Sequence, residues 1–369
     1  MVDSIRSIDC QVIVGLDIGD KFSTIIVLNP DGEILDEGRV RTTAEALTAR
    51  FQGLPRARVA IEVGTHSPWV WKLLEECGHE VLVANSRKLR LIYQNDKKSD
   101  KVDAEYLARL ARFDPKLLSP IQHRGLETQQ DIAVVRARDT LVKTRTVLIN
   151  TIRGSVKSIG ERIPSSSAHN FHKKIADSIP QELRPALTPL LETIEEVTTR
   201  IHALDNRIEE LCETKYPQTK ALMSVTGVGP LTALAYALVI GNPARFKKGR
   251  DVGPYLGLVP RRQESGDLQP QLRITKSGDK LMRRLLVGSA HYILGPLNQA
   301  DSDLRRHGEA IAGRGGKNAK KRAAVAVARK LAVLLHRLWV SGEEYEPLRN
   351  SKRRARTKRQ TPAQAPAAT

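Results

Sequence analysis

The order of strand-like and helix-like segments in the first 113 residues constrains the fold most strongly. Residues 10–16 (CQVIVGL) are apolar and β-branched, which predicts a buried strand. Residues 21–28 and 33–40 flank the turn signal Asn29-Pro30-Asp31-Gly32 and predict a β-hairpin. Two further strands are predicted over 57–63 and 80–84, and helices over 43–54, 68–77, 87–95 and 100–113. The sequence therefore predicts a mixed α/β domain in which parallel strands extend an antiparallel hairpin.

Four carboxylates lie where these predicted strands end or where a predicted helix begins. Asp17 ends the first strand, Glu62 ends a later one, and Asp100 and Asp103 share one face of a predicted helix. The order βββαβαβα is that of the ribonuclease-H-like fold, in which strand ends and a helix face can bring such residues together. A cluster of this kind needs divalent cations, and hard oxygen ligands select Mg²⁺ or Mn²⁺, which can act on a phosphodiester. Each residue alone also suits a cap or a turn, but jointly they favour metal binding.

The net charge of +19 lies entirely in residues 216–369, which hold 29 basic and 10 acidic residues. A basic module of this size predicts a polyanionic partner, with nucleic acid ahead of a membrane. Aromatic residues make up only 4% of the chain, which argues against a single-strand binder built on base stacking. The longest apolar run, 231–240, is too short to span a bilayer, and the N-terminus lacks a secretory pattern. The three cysteines are widely spaced, so we expect a cytoplasmic protein without a membrane partner.

The middle of the sequence is helical. Residues 126–159 predict one long helix, and residues 163–178 predict a polar connector. An unbroken heptad seam follows, with spacings that alternate between three and four residues, at Leu187, Leu190, Ile194, Val197, Ile201, Leu204, Ile208 and Leu211. This helix either packs inside its own chain, for example on residues 126–159, or pairs two subunits as a coiled coil.

The basic portion contains a glycine loop. Gly227-Val228-Gly229 separates two helical segments and resembles a helix-hairpin-helix, whose backbone N–H groups can hold a phosphate oxygen. An ordinary glycine turn is the alternative. A basic helix over 318–340 begins with Lys320, Lys321 and Arg322, and a lysine- and arginine-rich tail over 351–359 predicts non-specific binding of DNA or RNA.

Two Ser-Gly turns, Ser265-Gly266 and Ser277-Gly278, lie in the same basic portion. A hydroxyl among guanidinium groups can attack a phosphodiester, because the cations stabilise the transition state. Spacing alone favours a solvated turn at either serine and does not choose between them. The surrounding cations are Arg261, Arg262, Arg273, Lys276, Arg283 and Arg284.

Three blocks of the sequence resemble one known family. They are GLDIGDKFSTIIVLNPDGEIL, then AIEVGTHSPWVWKLLEECGHEVLVANSRK with KSDKVDAEYLARL, and finally SVTGVGPLTALAYALVIGNPARF through LGLVPRRQESG and RITKSGDKLMRRLL. In order and spacing they are similar to the transposases of the IS110 class of bacterial insertion sequences, also called bridge-RNA-guided recombinases. With the following basic helix, the resemblance extends to about residue 349.

The resemblance implies a domain organisation. It consists of a RuvC-like nuclease domain over 1–125, a helical coiled-coil connector over 126–215, and a mainly α-helical transposase domain over 216–349 with a helix-hairpin-helix and the catalytic serine. The basic tail over 350–369 is an addition to the family pattern.

The resemblance also implies a catalytic set. Asp17, Glu62, Asp100 and Asp103 match the four acidic positions of the family's DEDD set, which hold Mg²⁺. The family's nucleophilic serine follows an Arg-Arg-x-Glu segment, which here points to Ser265 after Arg261-Arg262-Gln263-Glu264. In the family this serine becomes covalently joined to DNA close to the carboxylate-bound Mg²⁺. Because the two domains are distant in sequence, a composite site between subunits is expected.

The function implied is that of an RNA-guided DNA recombinase that excises and inserts its own element, acting at the nucleoid. Its partners would be donor and target DNA, a guide non-coding RNA from the same element, and further copies of the chain, with a dimer assembling into a tetramer. Two alternatives stay open: a RuvC-like junction nuclease that uses two metals and water, and a non-catalytic nucleic-acid-binding derivative. The expected nucleic-acid contacts are Gly227, Gly229, Arg261, Arg262, Arg273, Lys276, Lys320, Lys321 and Arg322.

Overall fold

The computed structural model describes residues 10, 12–86, 99–263, 270 and 272–351. The chain divides into two compact units, with the boundary between Leu126 and Glu127. The helix predicted over 87–95 and the basic tail beyond residue 351 lie outside the described residues. Within the described ranges, every helix is too short or too polar to cross a bilayer.

The first unit is built on a five-stranded mixed sheet in the order β3-β2-β1-β4-β5. Strands β1 and β2 and strands β2 and β3 are antiparallel, whereas β4 lies parallel to both β1 and β5. The predicted hairpin extended by parallel strands is confirmed. The strands are β1 (Val12–Asp17), β2 (Phe22–Leu28), β3 (Ile34–Arg41), β4 (Ala57–Glu62) and β5 (Glu80–Ala84).

Among the described residues, three helices cover the two faces of this sheet. Each strand alternates its apolar side chains between the two faces, so both faces need a cover. One set, which includes Leu16 and Ile61, packs against α1 (Ala44–Gln52) and α2 (Ser67–Glu76). The other set packs against α3 (Asp100–Phe113). These helices match the predictions to within a few residues at their ends.

The second unit begins with two long antiparallel helices, α4 (Leu126–Ser158) and α6 (Arg184–Thr214). The side chain of Arg138 on α4 pairs with Asp205 on α6, with Nε at 2.8 Å from Oδ1. Six of the eight heptad-seam residues are buried, and those at its N-terminal end pack on aliphatic side chains of α4. Of the two roles left open for the seam, the structure shows packing inside the chain.

The segment between α4 and α6, predicted as a connector, contains the short helix α5 (Phe171–Ile175). The sequence prediction missed this helix because it is flanked by polar and proline-rich residues. Phe171 and Ile175 are fully buried against the end of the long helix pair. The connector therefore contributes to a small apolar core together with the ends of the two long helices.

The C-terminal part is mainly helical, as predicted. Its central helix α8 coincides with the longest apolar run of the sequence and is buried along most of its length. The hydroxyl of Tyr236 on α8 donates to the carbonyl oxygen of Ala332 on the last helix at 2.7 Å. The helices are α7 (Thr219–Met223), α8 (Pro230–Ile240), α9 (Val252–Tyr255), α10 (Lys280–Leu294), α11 (Asp303–Ala312) and α12 (Ala319–Ser341).

Two buried carboxylates on α4 tie the long helices to this C-terminal part. Asp131 accepts a hydrogen bond from the Tyr216 hydroxyl at 2.7 Å and pairs with Lys215 at 2.7 Å. Burial, and then the hydrogen bond and charge of Asp131, raise the pKa of Tyr216 to about 12. Asp139 pairs with Arg284 on α10. The helical connector and the C-terminal helices thus form one unit.

Candidate functional site

Two of the predicted carboxylates end neighbouring parallel strands. Leu16 of β1 lies opposite Ile61 of β4, so the next residues, Asp17 and Glu62, lie side by side where these strands end. Strand residues two apart share a face, so Asp17 lies on the same face as Gly15. Gly15 lies directly beneath α3, because a Cβ at this position would be 1.9 Å from the carbonyl oxygen of Ala104.

The orientation of α3 brings the other two carboxylates to the same end of the sheet. The side chains of Arg109 and Arg112, late in the helix, donate to the carbonyls of Gly32 and Pro30 in the turn of the β2–β3 hairpin. That turn lies at the end of the sheet where β1 begins. The first turn of α3, which carries Asp100 and Asp103, therefore lies toward the end where β1 and β4 finish. All four carboxylates belong to one end of one sheet face.

The first turn of α3 is fixed locally. Ser99 caps the helix, because its hydroxyl oxygen accepts from the backbone N–H of Val102 at 3.3 Å. Asp100 is exposed to solvent, whereas Asp103 is half-buried. A half-buried and an exposed carboxylate at a helix N-terminus are compatible with the helix dipole as well as with a cation.

The donor chemistry of this set fits Mg²⁺ or Mn²⁺, since all four side chains offer carboxylate oxygens. Within the described residues, however, no group of three or more His, Cys, Asp or Glu side chains is gathered closely enough to hold a metal ion. Carboxylates that converge on one point repel one another unless a cation neutralises them, so the ion itself is needed to draw them together. The structure thus places the four residues in one region without closing them around a point.

The sequence reasoning missed a polar pair beside these carboxylates. Nε2 of His66, which follows β4, lies 3.4 Å from Oδ1 of Asp20, which follows β1. The indole N–H of Trp69 donates to Nδ1 of His66 at 3.1 Å, so the neutral ring carries its proton on Nε2, toward Asp20. Their positions just beyond two neighbouring strand ends are the sequence signal that could have found them.

In the second unit, the residues on either side of the predicted serine segment pair with each other. The backbone N–H of Arg261 donates to the carbonyl of Arg273 at 2.9 Å, and that of Thr275 to the carbonyl of Val259 at 2.9 Å. Pro260 and Ile274 form an antiparallel bridge. The pairing brings together the two basic flanks that the sequence places around Ser265. Ser265 itself lies outside the described residues, so its prediction as the nucleophile is untested.

Two glycines permit this pairing. Gly257 has φ +69°, and a Cβ there would lie 2.1 Å from the carbonyl oxygen of Ser277. Gly278 has φ +79°, and a Cβ there would lie 2.2 Å from the carbonyl oxygen of Tyr255. Both positions need a left-handed backbone and a close approach of main chain, which only glycine allows. The backbone at the base of the paired segments therefore requires glycine at both positions.

The second Ser-Gly turn has a structural role. The hydroxyl of Ser277 forms a hydrogen bond with the Thr275 hydroxyl at 3.0 Å and donates to the Pro254 carbonyl at 3.4 Å. The Arg283 side chain donates to the carbonyls of Ser277 and Leu256. Ser277 thus belongs to the contacts that anchor the paired segments to each other and to α9.

The glycine loop 227–229 lies between the five-residue helix α7 and α8. Gly227 has φ +86°, and a Cβ there would lie 3.1 Å from Cδ1 of Tyr292 and 3.2 Å from the carbonyl oxygen of Ser289, both on α10. Gly229 is exposed and precedes α8 directly. Packing against α10 explains Gly227, and a helix-hairpin-helix that binds phosphate stays a prediction.

A basic groove runs between α11, α12 and the paired segments, with a volume of about 1390 Å³. Nine of its described lining residues are arginine or lysine and two are acidic. The predicted cations Arg273, Lys276, Lys321 and Arg322 line it, whereas Arg261, Arg262 and Lys320 are not among its described lining residues.

The sequence reasoning missed most of the groove's positive charge. The heptad-like spacing of Arg322, Arg329 and Arg337 along α12 was the signal, since it puts three cations on one helix face. The opposite face of α12 is buried in the core. The missed lining cations are Arg314, Arg329, Lys330, Arg337 and Arg349.

Comparison with known proteins places this architecture in a family. Residues 14–160 match the IS110 DEDD family model, described as a transposase, and residues 219–302 match the model of the transposase IS116/IS110/IS902 family. The chain is 30% identical over 259 residues to a transposase for insertion sequence element IS1111A from Coxiella burnetii, covering 69% of this chain and 70% of that one. The chain belongs to the IS110 family of insertion-sequence transposases.

A second relative supports the assignment. The chain is 28% identical over 291 residues to a transposase for insertion sequence element IS1328 from Yersinia enterocolitica, covering 75% of this chain and 82% of the relative. Members of this family are transposases, enzymes that cleave and rejoin DNA. This IS110-family transposase is therefore a DNA transposase/recombinase, and DNA is its substrate. DEDD transposases typically use divalent metal ions, in agreement with the donor set described above.

Proposed function

We propose that this transposase excises and inserts its insertion sequence by covalent serine catalysis, supported by a Mg²⁺- or Mn²⁺-binding carboxylate set and guided by an RNA. The observation that supports the proposal is that Asp17, Glu62, Asp100 and Asp103 all lie toward one end of one sheet face. Neighbouring strand ends and a helix N-terminus supply these residues from three separate parts of the sequence.

The carboxylates would hold the ions through their oxygens. Bound divalent ions would neutralise these side chains and stabilise negative charge on the oxygens of the scissile phosphodiester. Asp17 and Glu62 hold fixed positions because they end hydrogen-bonded strands. Asp100 and Asp103 are placed by the Ser99 cap and by the close contact of α3 with Gly15.

The serine step would conserve one ester bond. Ser265 loses its hydroxyl proton and its oxygen bonds to phosphorus, while the bond from phosphorus to one deoxyribose oxygen breaks and that oxygen leaves protonated. The phosphoserine retains the bond energy, so a new deoxyribose hydroxyl can displace the serine and rejoin the strand without ATP. The paired basic flanks, with Arg261 and Arg273 adjacent, would supply positive charge toward the reacting phosphate.

Guidance by RNA and assembly into a dimer and then a tetramer rest on family membership. The basic second unit supports binding of polyanions, but phosphate contacts read no sequence. Base pairing by a guide RNA would supply that selection. Because most of the heptad seam is buried inside the chain, subunit contacts would use other surfaces than a simple two-stranded coiled coil.

A cell-based excision assay tests the catalytic proposal. We expect Asp17→Ala and Ser265→Ala to abolish excision, and the control variant Ser158→Ala, at an exposed serine at the end of α4, to retain it. If Ser265→Ala forms recombinant product at the wild-type rate, the serine mechanism is wrong and a two-metal nuclease that uses water is favoured. If Asp17→Ala is as active as wild type, the metal role of the carboxylates is wrong.

The RNA proposal needs a separate measurement. Nucleic acid that copurifies with the protein from cells carrying the whole element should contain one abundant RNA from its non-coding flank. Sequencing that yields only random fragments would contradict RNA guidance while leaving the serine chemistry untouched.

A further inference from the structure

The basic groove of the second unit has an organised shape. One long wall is α12, which presents Arg322, Arg329 and Arg337 on the face opposite its buried side. Another wall is formed by Pro260 and Ile274, from the paired segments that flank Ser265. The groove therefore extends from the segments that flank the proposed nucleophile in sequence along a core helix.

The groove's positive charge is poorly balanced by the chain itself. One of its two acidic lining residues, Asp303, accepts hydrogen bonds from the Ser351 hydroxyl at 2.6 Å and the Asn350 backbone N–H at 2.7 Å, so its oxygens face the C-terminal segment. Among the described residues, Nε of Arg337 is buried and has no hydrogen-bond partner.

The positive charge of the groove also affects the pKa of a histidine that lines it. The pKa of His307 is lowered because burial, and then the positive charges of Lys330 and Arg314, disfavour its imidazolium form. Arg314 lies in the turn that follows α11, and Lys330 lies in the middle of α12. Cations from both sides of His307 thus act on its imidazole in addition to burial.

We propose that the groove holds the sugar–phosphate backbone of the DNA that flanks the phosphate attacked by Ser265. The proposal deepens the proposed function and rests on its serine step, because the flanks of the serine segment form the groove wall. From Arg322 to Arg337, α12 spans about 22 Å at 1.5 Å per residue. That length matches about six phosphates of one strand at 3.4 Å each.

The composition of the groove favours backbone contact over base recognition. Tyr345 is the one Phe, Tyr or Trp among the described lining residues, so a row of stacking platforms for unpaired bases is missing there. Aliphatic side chains such as Val325 and Val333 form the floor and can contact the apolar faces of deoxyribose. The rim cations then meet phosphates, a contact that is independent of sequence.

A matched pair of double variants tests this assignment. Arg314→Gln with Lys321→Gln removes two charges from exposed lining residues, whereas Lys248→Gln with Lys317→Gln removes two charges from exposed residues of the same unit outside the lining. The affinity of full-length protein for a labelled duplex of the element end is measured by fluorescence anisotropy between 0.05 and 0.5 M salt. The same titration is repeated with RNA transcribed from the element's non-coding flank.

Each lost phosphate contact reduces the steepness of the plot of log K, the logarithm of the association constant, against log salt concentration by about 0.9. At 0.1 M salt this corresponds to a loss of affinity of about eightfold. We expect the groove variant to lose up to about 60-fold for duplex DNA, with a slope reduced by nearly 2, and the control variant to stay near wild type. Equal losses in both variants would indicate a general charge effect and overturn the proposal. A loss confined to RNA would overturn it too, since the groove would then hold RNA.

Covalent adduct formation separates this proposal from the proposed function. The groove variant should form the adduct at saturating DNA, and Ser265→Ala should bind DNA with the wild-type salt slope but form none. If the wild-type protein forms no adduct while the salt dependence of DNA affinity is still reduced in the groove variant, the serine step is wrong and the groove is still supported as a DNA-binding site. If the adduct forms normally and the groove variant binds like wild type, the groove assignment alone fails.

Discussion

Gly15→Ala is expected to separate α3 from the sheet and to disperse the carboxylate set. A Cβ at residue 15 would lie 1.9 Å from the carbonyl oxygen of Ala104 and 2.8 Å from the amide nitrogen of Ala108. Ordinary contacts begin at 3.4 Å, so the helix must retreat by about 1.5 Å. Both clashing atoms are main chain, so no change of rotamer relieves the contact. We expect a destabilisation of about 3 kcal/mol, the upper end for overpacked cores.

The same displacement moves Asp100 and Asp103 away from the strand ends that carry Asp17 and Glu62. A misplacement of 1 Å can lower a rate about 100-fold, so DNA cleavage by the folded variant should fall by at least that factor. Urea unfolding followed by tryptophan fluorescence measures stability, since two of the three tryptophans lie on α2. Gly38→Ala on the exposed strand β3 is the control, because a Cβ there meets nothing within 4 Å. Wild-type stability and cleavage in Gly15→Ala would refute this account of the site.

The remaining predictions concern the second unit. Burial alone would raise the pKa of Asp139, but hydrogen bonds and charges from Lys143 and Arg284 outweigh it and hold the pKa below its usual value. Asp139 therefore stabilises the fold above the unfolded-state pKa of about 3.9 and loses that contribution as the pH falls through the lower folded value. Urea titrations should show that Asp139→Asn is less stable than wild type at pH 7 and that the difference shrinks toward pH 3. A stability difference that does not change with pH would contradict the pairing. Gly257→Ala should abolish covalent adduct formation with DNA, because a Cβ there displaces the contacts that anchor the paired segments. The control Gly288→Ala, within α10, should still form the adduct, and its free energy of unfolding should rise by up to about 1 kcal/mol. Equal adduct yields from the two variants would contradict the anchoring role.

The sheet of the first unit could be predicted because its signals are local. β-branched runs, the Asn-Pro-Asp-Gly turn and the periodicity of α3 each specify an element within about ten residues. The carboxylates could be selected because they sit where those elements begin or end. The pair formed by His66 and Asp20 escaped prediction, because two loops 46 residues apart in sequence bring it together.

The second unit was harder to predict because its decisive contacts are non-local. The heptad seam is equally regular whether its partner is α4 or another subunit, and the alternative is decided by pairs such as Arg138 with Asp205. The groove joins α12 to segments more than 40 residues earlier in the chain, so sequence reasoning found the cations at the start of α12 and overlooked Arg329 and Arg337. Charge composition indicated a nucleic-acid surface without showing its position.

The most direct test of the central claim is mass spectrometry of the protein–DNA adduct formed on a nicked suicide duplex of the element end, with guide RNA and Mg²⁺. The account predicts one peptide, containing Ser265, that carries a nucleotide through a phosphoester, and predicts that Asp17→Ala lowers its yield at least 100-fold. Cleaved DNA without any adduct, or an adduct mapped to Ser277 or to another residue, would contradict it.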